Sequence, residues 1–189
     1  MTLISSISGI RGTVNGPNST NLTPIDVVKY ASAYGTWVNK RNKNKDSTIV
    51  IGRDGRISGP ALLELVKSTL ISMGINIIDI DLSTTPTTQI IIQKKKANGG
   101  IILTASHNPK NWNALKLFNS KGEFLVKKEA EDIFKIVKEN QFEFKGEDNF
   151  GKISKISDAF KIHINEVKNL SIVNANNIIN KKFKIVVDG

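Results

Sequence analysis

The sequence predicts an α/β layer sandwich. Short β-branched runs, "STIVIG" at 47 to 52, "INIIDIDL" at 75 to 82 and "GGIILTA" at 99 to 105, alternate with segments whose apolar residues recur at helical spacing. Thr-then-Pro helix starts punctuate the alternation at Thr23-Pro24 and again at 84 to 86. Strands and helices of these lengths, taken in turn, bury their apolar faces by stacking as layers.

Taken in order, Thr23 is the expected N-cap of the first helix, with Pro24 at its first position and Asp26 beside the free N–H groups. Val27, Tyr30, Ala31, Tyr34 and Val38 then form its apolar face. After the strand at 47 to 52, Leu62, Leu63, Val66 and Leu70 mark a second helix ending at Gly74. "TTPTTQIIIQKKKA" predicts a third helix, and Gly99 and Gly100 open a buried strand. "ALKLF" is expected as an edge strand, "NSKGEF" as a reversal, and Ala130, Ile133, Phe134 and Val137 as the face of a further helix. A polar link at 138 to 152 precedes a helix from about Ser157 to Leu170, and "KFKIVVDG" is read as a strand. A strand so apolar needs partners on both sides. Residues 1–145 are therefore expected to form one domain and 151–189 to open a second.

At 189 residues and 39% hydrophobic content, the chain can bury a sizeable core. No apolar run approaches the roughly 20 residues that a membrane helix needs, and "MTLISSIS" lacks the features of a signal peptide, so a cytoplasmic location and no membrane partner are expected. There is no cysteine, and His107 and His163 are far apart, which leaves no local thiolate or histidine metal motif. The net charge of +10 lies in scattered clusters, "KRNKNK", "KKK" and "NKK", that contain no aromatic residue. Nucleic-acid surfaces interleave aromatics with basic side chains, so the clusters are read as solvated loops and no nucleic-acid partner is expected, a basic nucleic-acid-binding module being the alternative from a different class.

In open α/β sheets ligands bind beyond the carboxyl ends of strands, so the loops there are where chemistry is sought. Three of them are rich in polar groups. "SISGIRG" brackets Arg11 with Gly9 and Gly12; "IGRDGRISGP" sets Arg53, Asp54 and Arg56 in a tight turn; "TASHNP" places Ser106, His107 and Asn108 directly after a buried strand, with Pro109 stopping that strand. Guanidinium forks and a presented hydroxyl on one rim suit the binding and transfer of a phosphoryl group. A serine hydrolase would also use Ser106 and His107, but no G-x-S-x-G elbow is present.

"SGIRG", "GRDGRISG" and "TASHNP" followed by "WNALK" together resemble the first domain of the α-D-phosphohexomutases, over essentially residues 1 to 140. "FKIVVDG" is similar to the first strand of that family's second domain. Two departures stand out: Ser5-Ser6-Ile7 replaces an aromatic-Gly-Thr lead-in, and Trp112-Asn113-Ala114 stands where many members carry Tyr-Asn-Gly. The resemblance implies a layered helix/mixed sheet/helix domain followed by the start of a similar one. It implies that Ser106 carries a phosphoryl group, that Lys116 acts as general acid/base or stabilises charge, and that Arg11, with Arg53, contacts phosphate. His107 and Asn108 are implied as loop-shaping and hydrogen-bonding partners. The implied substrate is a hexose phosphate, glucosamine phosphate ahead of mannose or glucose phosphate, with a hexose bisphosphate as activator. One Mg²⁺ is implied, held by the Ser106 phosphate and by aspartates that this sequence does not contain.

Overall fold

The computed structural model describes residues 3–7, 9–14, 21–43 and 46–188. Ser8 of the first loop and Asn44 and Lys45 of the first basic cluster lie outside them. The elements run β1 (Ile4–Ser6), β2 (Gly9–Thr13), α1 (Pro24–Arg41), β3 (Ser47–Arg53), α2 (Gly59–Ile71), β4 (Ile75–Leu82), α3 (Thr85–Lys94), β5 (Gly99–Leu103), β6 (Trp112–Phe118), α4 (Lys127–Glu139), β7 (Ile153–Lys155), α5 (Ala159–Lys168) and α6 (Ala175–Asn180).

The seven strands form one mixed sheet in the order β1-β2-β6-β5-β3-β4-β7. β5, β3, β4 and β7 run parallel, while β1, β2, β6 and β5 are joined by antiparallel pairings. Val27, Tyr34, Leu63, Val66 and Ile133 pack with Ile49, Ile51, Ile101 and Leu103 on the side of α1, α2 and α4. Val50, Ile102 and Phe118 point the other way, against Ile91 and Ile92 of α3 and Ala159 of α5. The result is the layered helix/mixed sheet/helix arrangement expected from the alternation.

Local chemistry starts the helices where it was read. Thr23 Oγ1 accepts the Asp26 N–H at 3.3 Å and the Asp26 carboxylate accepts the Thr23 N–H at 2.9 Å, a reciprocal capping box at α1. Thr84 Oγ1 accepts the Thr87 N–H at 3.3 Å and starts α3.

Three expectations are corrected. "ALKLF" belongs to β6, which lies inside the sheet between β2 and β5. The reason is that β2, read as a loop because of its glycines, is a strand: Gly9 has φ +117, and a Cβ there would overlap the Leu115 carbonyl, so only glycine lets β2 pair closely with β6. "KFKIVVDG" forms no strand over 183–188; no described strand pairs with it, and Val186 and Val187 are 97% and 87% exposed. The chain beyond 151 instead begins by adding β7 to the free edge of β4 and packing α5 on α3, where Thr87 Oγ1 meets His163 Nδ1 at 2.9 Å and Lys94 pairs with Glu166 at 2.8 Å.

Tyr34 reaches from α1 into the sheet at the Gly100–Phe118 pair of β5 and β6. Its hydroxyl donates to the Phe118 carbonyl at 2.6 Å and accepts the Gly100 N–H at 2.8 Å, replacing part of the ladder. Burial pushes its pKa well above the ordinary tyrosine range, which keeps the O–H available as a donor. A Cβ at Gly99 would overlap this hydroxyl, so the glycine is a packing requirement. Tyr34→Phe, which strands a buried donor and a buried acceptor, is expected to cost about 1–3 kcal/mol in urea unfolding. A change below about 0.5 kcal/mol, the size of an ordinary surface substitution, would show that the hydroxyl does not hold these strands.

Candidate active site

β5 ends at Leu103, and the segment that follows cannot continue the sheet because Pro109 lacks an N–H. Thr104 still reaches β6, its N–H donating to the Ala114 carbonyl at 3.1 Å. The chain then turns out of the layer. Ser106 has φ +55, a left-handed conformation that costs a non-glycine residue of order 1 kcal/mol and must be held by its surroundings. Its N–H donates to Thr104 Oγ1 at 3.1 Å and its side chain is exposed. The nearby His107 Nδ1 lies 3.5 Å from Ser106 Oγ, at the outer limit of hydrogen bonding.

The holding is done from the end of β3. Arg56, whose side chain is 12% exposed, donates through Nη1 to the carbonyls of Pro109 (2.7 Å) and Trp112 (3.0 Å), and through Nη2 to those of Ser106 (2.9 Å) and Asn108 (2.7 Å). Asp54 aligns the guanidinium, accepting Nε–H at 3.1 Å on Oδ2 and the Arg56 N–H at 3.0 Å on Oδ1. Asp54 is tied in turn to β5 through its N–H and the Leu103 carbonyl, at 2.9 Å. Asn113, fully buried on β6, adds a second link by donating to Ser58 Oγ at 2.9 Å.

Arg11 lies within β2 rather than in a loop, opposite Ala114. Lys116 is two residues further along β6, opposite Ile102, so Arg11 and Lys116 share one face of the sheet. Ala114 thus has Arg11 on one side and Thr104, the root of the Ser106 loop, on the other. With strands about 4.8 Å apart, Arg11 and Thr104 are about 10 Å apart across Ala114, and Ser106 follows Thr104 by two residues at the same corner of the sheet. Lys116 is half-buried, with Nζ 6.0 Å from the centre of the Phe124 ring. Arg11 Nε is buried and has no hydrogen-bond partner. Buried polar groups are nearly always paired, so an unpaired guanidinium N–H at this corner suits an anionic ligand.

The Arg53 guanidinium pairs with Asp81 at 2.8 Å and donates to the Asp54 carbonyl at 3.2 Å, facing the end of β4, and its buried Nε, like that of Arg11, has no hydrogen-bond partner. Asp81 sits in a left-handed bulge (φ +47), pinned by the buried Asp79, whose Oδ1 accepts the Asp81 N–H at 2.9 Å. Asp79 also holds Lys67 at 3.2 Å; burial alone would lower the Lys67 pKa, but hydrogen bonds to Glu64 and Asp79 raise it above the usual lysine value. Asn108 contributes backbone groups, its carbonyl to Arg56 and its N–H to the Ala105 carbonyl at 3.1 Å. Sequence reasoning placed Arg56 among the guanidinium groups of the rim but not on the Ser106 loop, and it passed over Asn113; the partners of both lie about fifty residues away along the chain.

Clefts of about 580 Å³ beside Ile7, Phe124 and Phe134 and of about 500 Å³ beside Asn39, Lys145 and Lys152 do not include Ser106. Among the described residues no three His, Asp or Glu side chains cluster to hold a metal ion, and no helix is long and apolar enough to cross a membrane.

Residues 4–144 match the family model described as phosphoglucomutase/phosphomannomutase, α/β/α domain I. The chain is 32% identical over 180 residues to a phosphoglucomutase/phosphomannomutase of Thermococcus kodakarensis, covering 95% of this chain and 38% of that protein. It is 30% identical over 183 residues to a phosphoglucosamine/phosphogalactosamine mutase of Sulfurisphaera tokodaii, covering 95% of this chain and 37% of that protein. The chain therefore spans less than two-fifths of the length of these relatives. A solved structure of a phosphoglucomutase/phosphomannomutase family protein from Burkholderia thailandensis superposes with a TM-score of 0.70 at 22% identity, over 89% of this chain and 36% of that one, which establishes likeness of fold. With three sequence motifs, a matching fold and a family model that covers most of the chain in agreement, this chain belongs to the phosphoglucomutase/phosphomannomutase family and forms its domain I.

Proposed function

We propose that this domain carries the phosphoserine of a mutase that interconverts hexose 6-phosphate and hexose 1-phosphate. The observation that carries the reading is the exposed Ser106, left-handed in the loop after β5, with β6 alone between β5 and the strand that holds the unpartnered Arg11 Nε. In the proposed step a sugar hydroxyl attacks phosphoserine 106: the new P–O bond forms to the sugar, the P–Oγ bond breaks, and the hydroxyl proton ends on Ser106 Oγ. Lys116, on the same face, relays that proton or offsets developing charge. Arg11 neutralises phosphate oxygens. The resulting bisphosphorylated sugar reorients and returns its other phosphoryl group by the reverse step, so atoms and charge balance over the cycle.

Mg²⁺, when bound, would supply charge neutralisation at the phosphoserine. Ser106, through its phosphate, would be this chain's ligand to it, since among the described residues no three His, Asp or Glu side chains lie together. Glucosamine phosphate is the favoured sugar, in line with the names of relatives such as the phosphoglucosamine mutase of Alkaliphilus metalliredigens, 38% identical over 114 residues. Cytoplasmic sugar-phosphate metabolism is the proposed setting.

The test is conversion of glucosamine, mannose and glucose 6-phosphates by the full-length protein with Mg²⁺ and a trace of hexose bisphosphate. The highest kcat/KM is expected for glucosamine 6-phosphate. Residues 1–189 alone are expected to give no turnover, because Ser106 is exposed and the clefts beside Phe134 and beside Lys145 do not include it. Turnover by this stretch alone would contradict that account of the site, and no conversion of any hexose phosphate by the full-length protein would remove the reading.

A further inference from the structure

We infer that Arg56 is the positioning residue for phosphoryl transfer at Ser106, an inference that rests on the function proposed above. A guanidinium has five N–H donors, and in Arg56 all five are used within the protein: one on Asp54, three on the loop carbonyls of Ser106, Asn108 and Pro109, and one on the carbonyl of Trp112 at the start of β6, the four carbonyls at 2.7–3.0 Å. None is left for a phosphate. Arg56 therefore acts through the Ser106 loop rather than on the substrate, unlike Arg11, whose Nε has no partner.

The loop needs such a device. Residues 104 to 111 belong to no helix or strand, and although the Ala105, Pro109 and Asn111 carbonyls accept backbone N–H groups at 2.8–3.1 Å, those of Ser106 and Asn108 are received by Arg56. Four of the carbonyls between 106 and 112 converge on one cation, and charge-assisted bonds of this length are about twice as strong as neutral ones. They oppose the strain of the left-handed Ser106 and fix the direction in which its Oγ leaves the backbone. Because trans peptides point C=O and N–H in opposite directions, seating the Ser106 and Pro109 carbonyls on Arg56 sends the His107 and Lys110 N–H groups away from the guanidinium. Lysine cannot substitute, since one ammonium has three donors at a single point and cannot span four carbonyls.

The experiment uses the full-length protein and follows single-turnover transfer from a hexose bisphosphate to Ser106 by intact mass, together with steady-state kcat and KM. A misplacement near 1 Å can cost about 100-fold in rate, so Arg56→Lys and Arg56→Ala are each expected to slow transfer about 100-fold with KM within about 2-fold of wild type. Guanidinium ion at tens of millimolar, far below denaturing levels, is expected to restore several-fold of the rate to Arg56→Ala and none to Arg56→Lys, whose side chain fills the space. If Arg56→Ala does not fold, Arg56→Lys alone decides through its kcat and KM. A lowered melting temperature with an unchanged transfer rate would make Arg56 merely structural and overturn the inference, as would full activity of Arg56→Lys or a loss confined to KM. Failure of the wild-type protein to accept phosphate on Ser106 would remove the proposed function itself, a result distinct from any Arg56 outcome.

Discussion

Full-length protein carrying Ser106→Ala is expected to take up no phosphate from a hexose bisphosphate and Mg²⁺ and to lose nearly all turnover, while the wild type gains one phosphate on Ser106. The site argues for this hydroxyl over its neighbours. Ser47 is buried at the start of β3, Thr69 is buried on α2 with its hydroxyl donating to the Leu65 carbonyl at 2.7 Å, and Thr87 is fully buried against His163. Ser106 is exposed, and the only side-chain partner of its hydroxyl among the described residues is His107 at 3.5 Å. A phosphate there carries nearly two negative charges at neutral pH and needs donors close by. Arg11 and Lys116 on the adjoining strands are suited to supply them. Peptide mass spectrometry decides the matter: label on another hydroxyl, or near-normal activity of Ser106→Ala, would overturn the phosphoserine mechanism.

Arg11→Ala should lower kcat/KM for phosphoryl transfer by roughly 2–4 kcal/mol, the usual cost of removing one preorganised donor to a charged transition state. Lys43→Ala, in a basic cluster on the turn after α1, should change it by less than about 0.5 kcal/mol. The contrast separates local geometry from net charge, because both substitutions remove one positive charge from a chain of net charge +10. What differs is confinement: Arg11 is fixed in β2 with a buried, unpaired Nε, whereas Lys43 is screened by solvent. Equal, small effects would mean that Arg11 only fills its place in the strand.

Much of this domain was legible in the chain. The helix starts at Thr23 and Thr84 were readable because a capping side chain bonds to an N–H three residues on, an interaction that lies entirely within a short window. β3 and β5 were readable because strands covered on both faces must be apolar nearly throughout, and β4 because its apolar residues alternate with polar ones. The Ser106 loop announced itself as a polar turn after such a strand. Where the residues act through distant partners, the sequence was silent. β2 looked like a glycine loop because its fitness as a strand depends on the close approach of Leu115, more than 100 residues on. β6 looked like an edge for the same reason, since the strand on its far side had not been recognised.

By itself, then, the sequence determined the layered α/β class and the family motifs, and through their resemblance it offered Ser106, Arg11 and Lys116 as candidates, because apolar periodicity and contiguous motifs are properties of neighbouring residues. Only the tertiary structure decided which arginine of "GRDGR" serves the Ser106 loop. Arg53 and Arg56 are three residues apart and chemically identical, yet the bulge at the end of β4 turns Asp81 toward Arg53, while the parallel pairing of β3 with β5 brings Arg56 under the carbonyls of 106 to 112. A side chain's role in that turn is set by which strand end lies beside it, and that is a property of sheet order rather than of neighbouring residues in the chain.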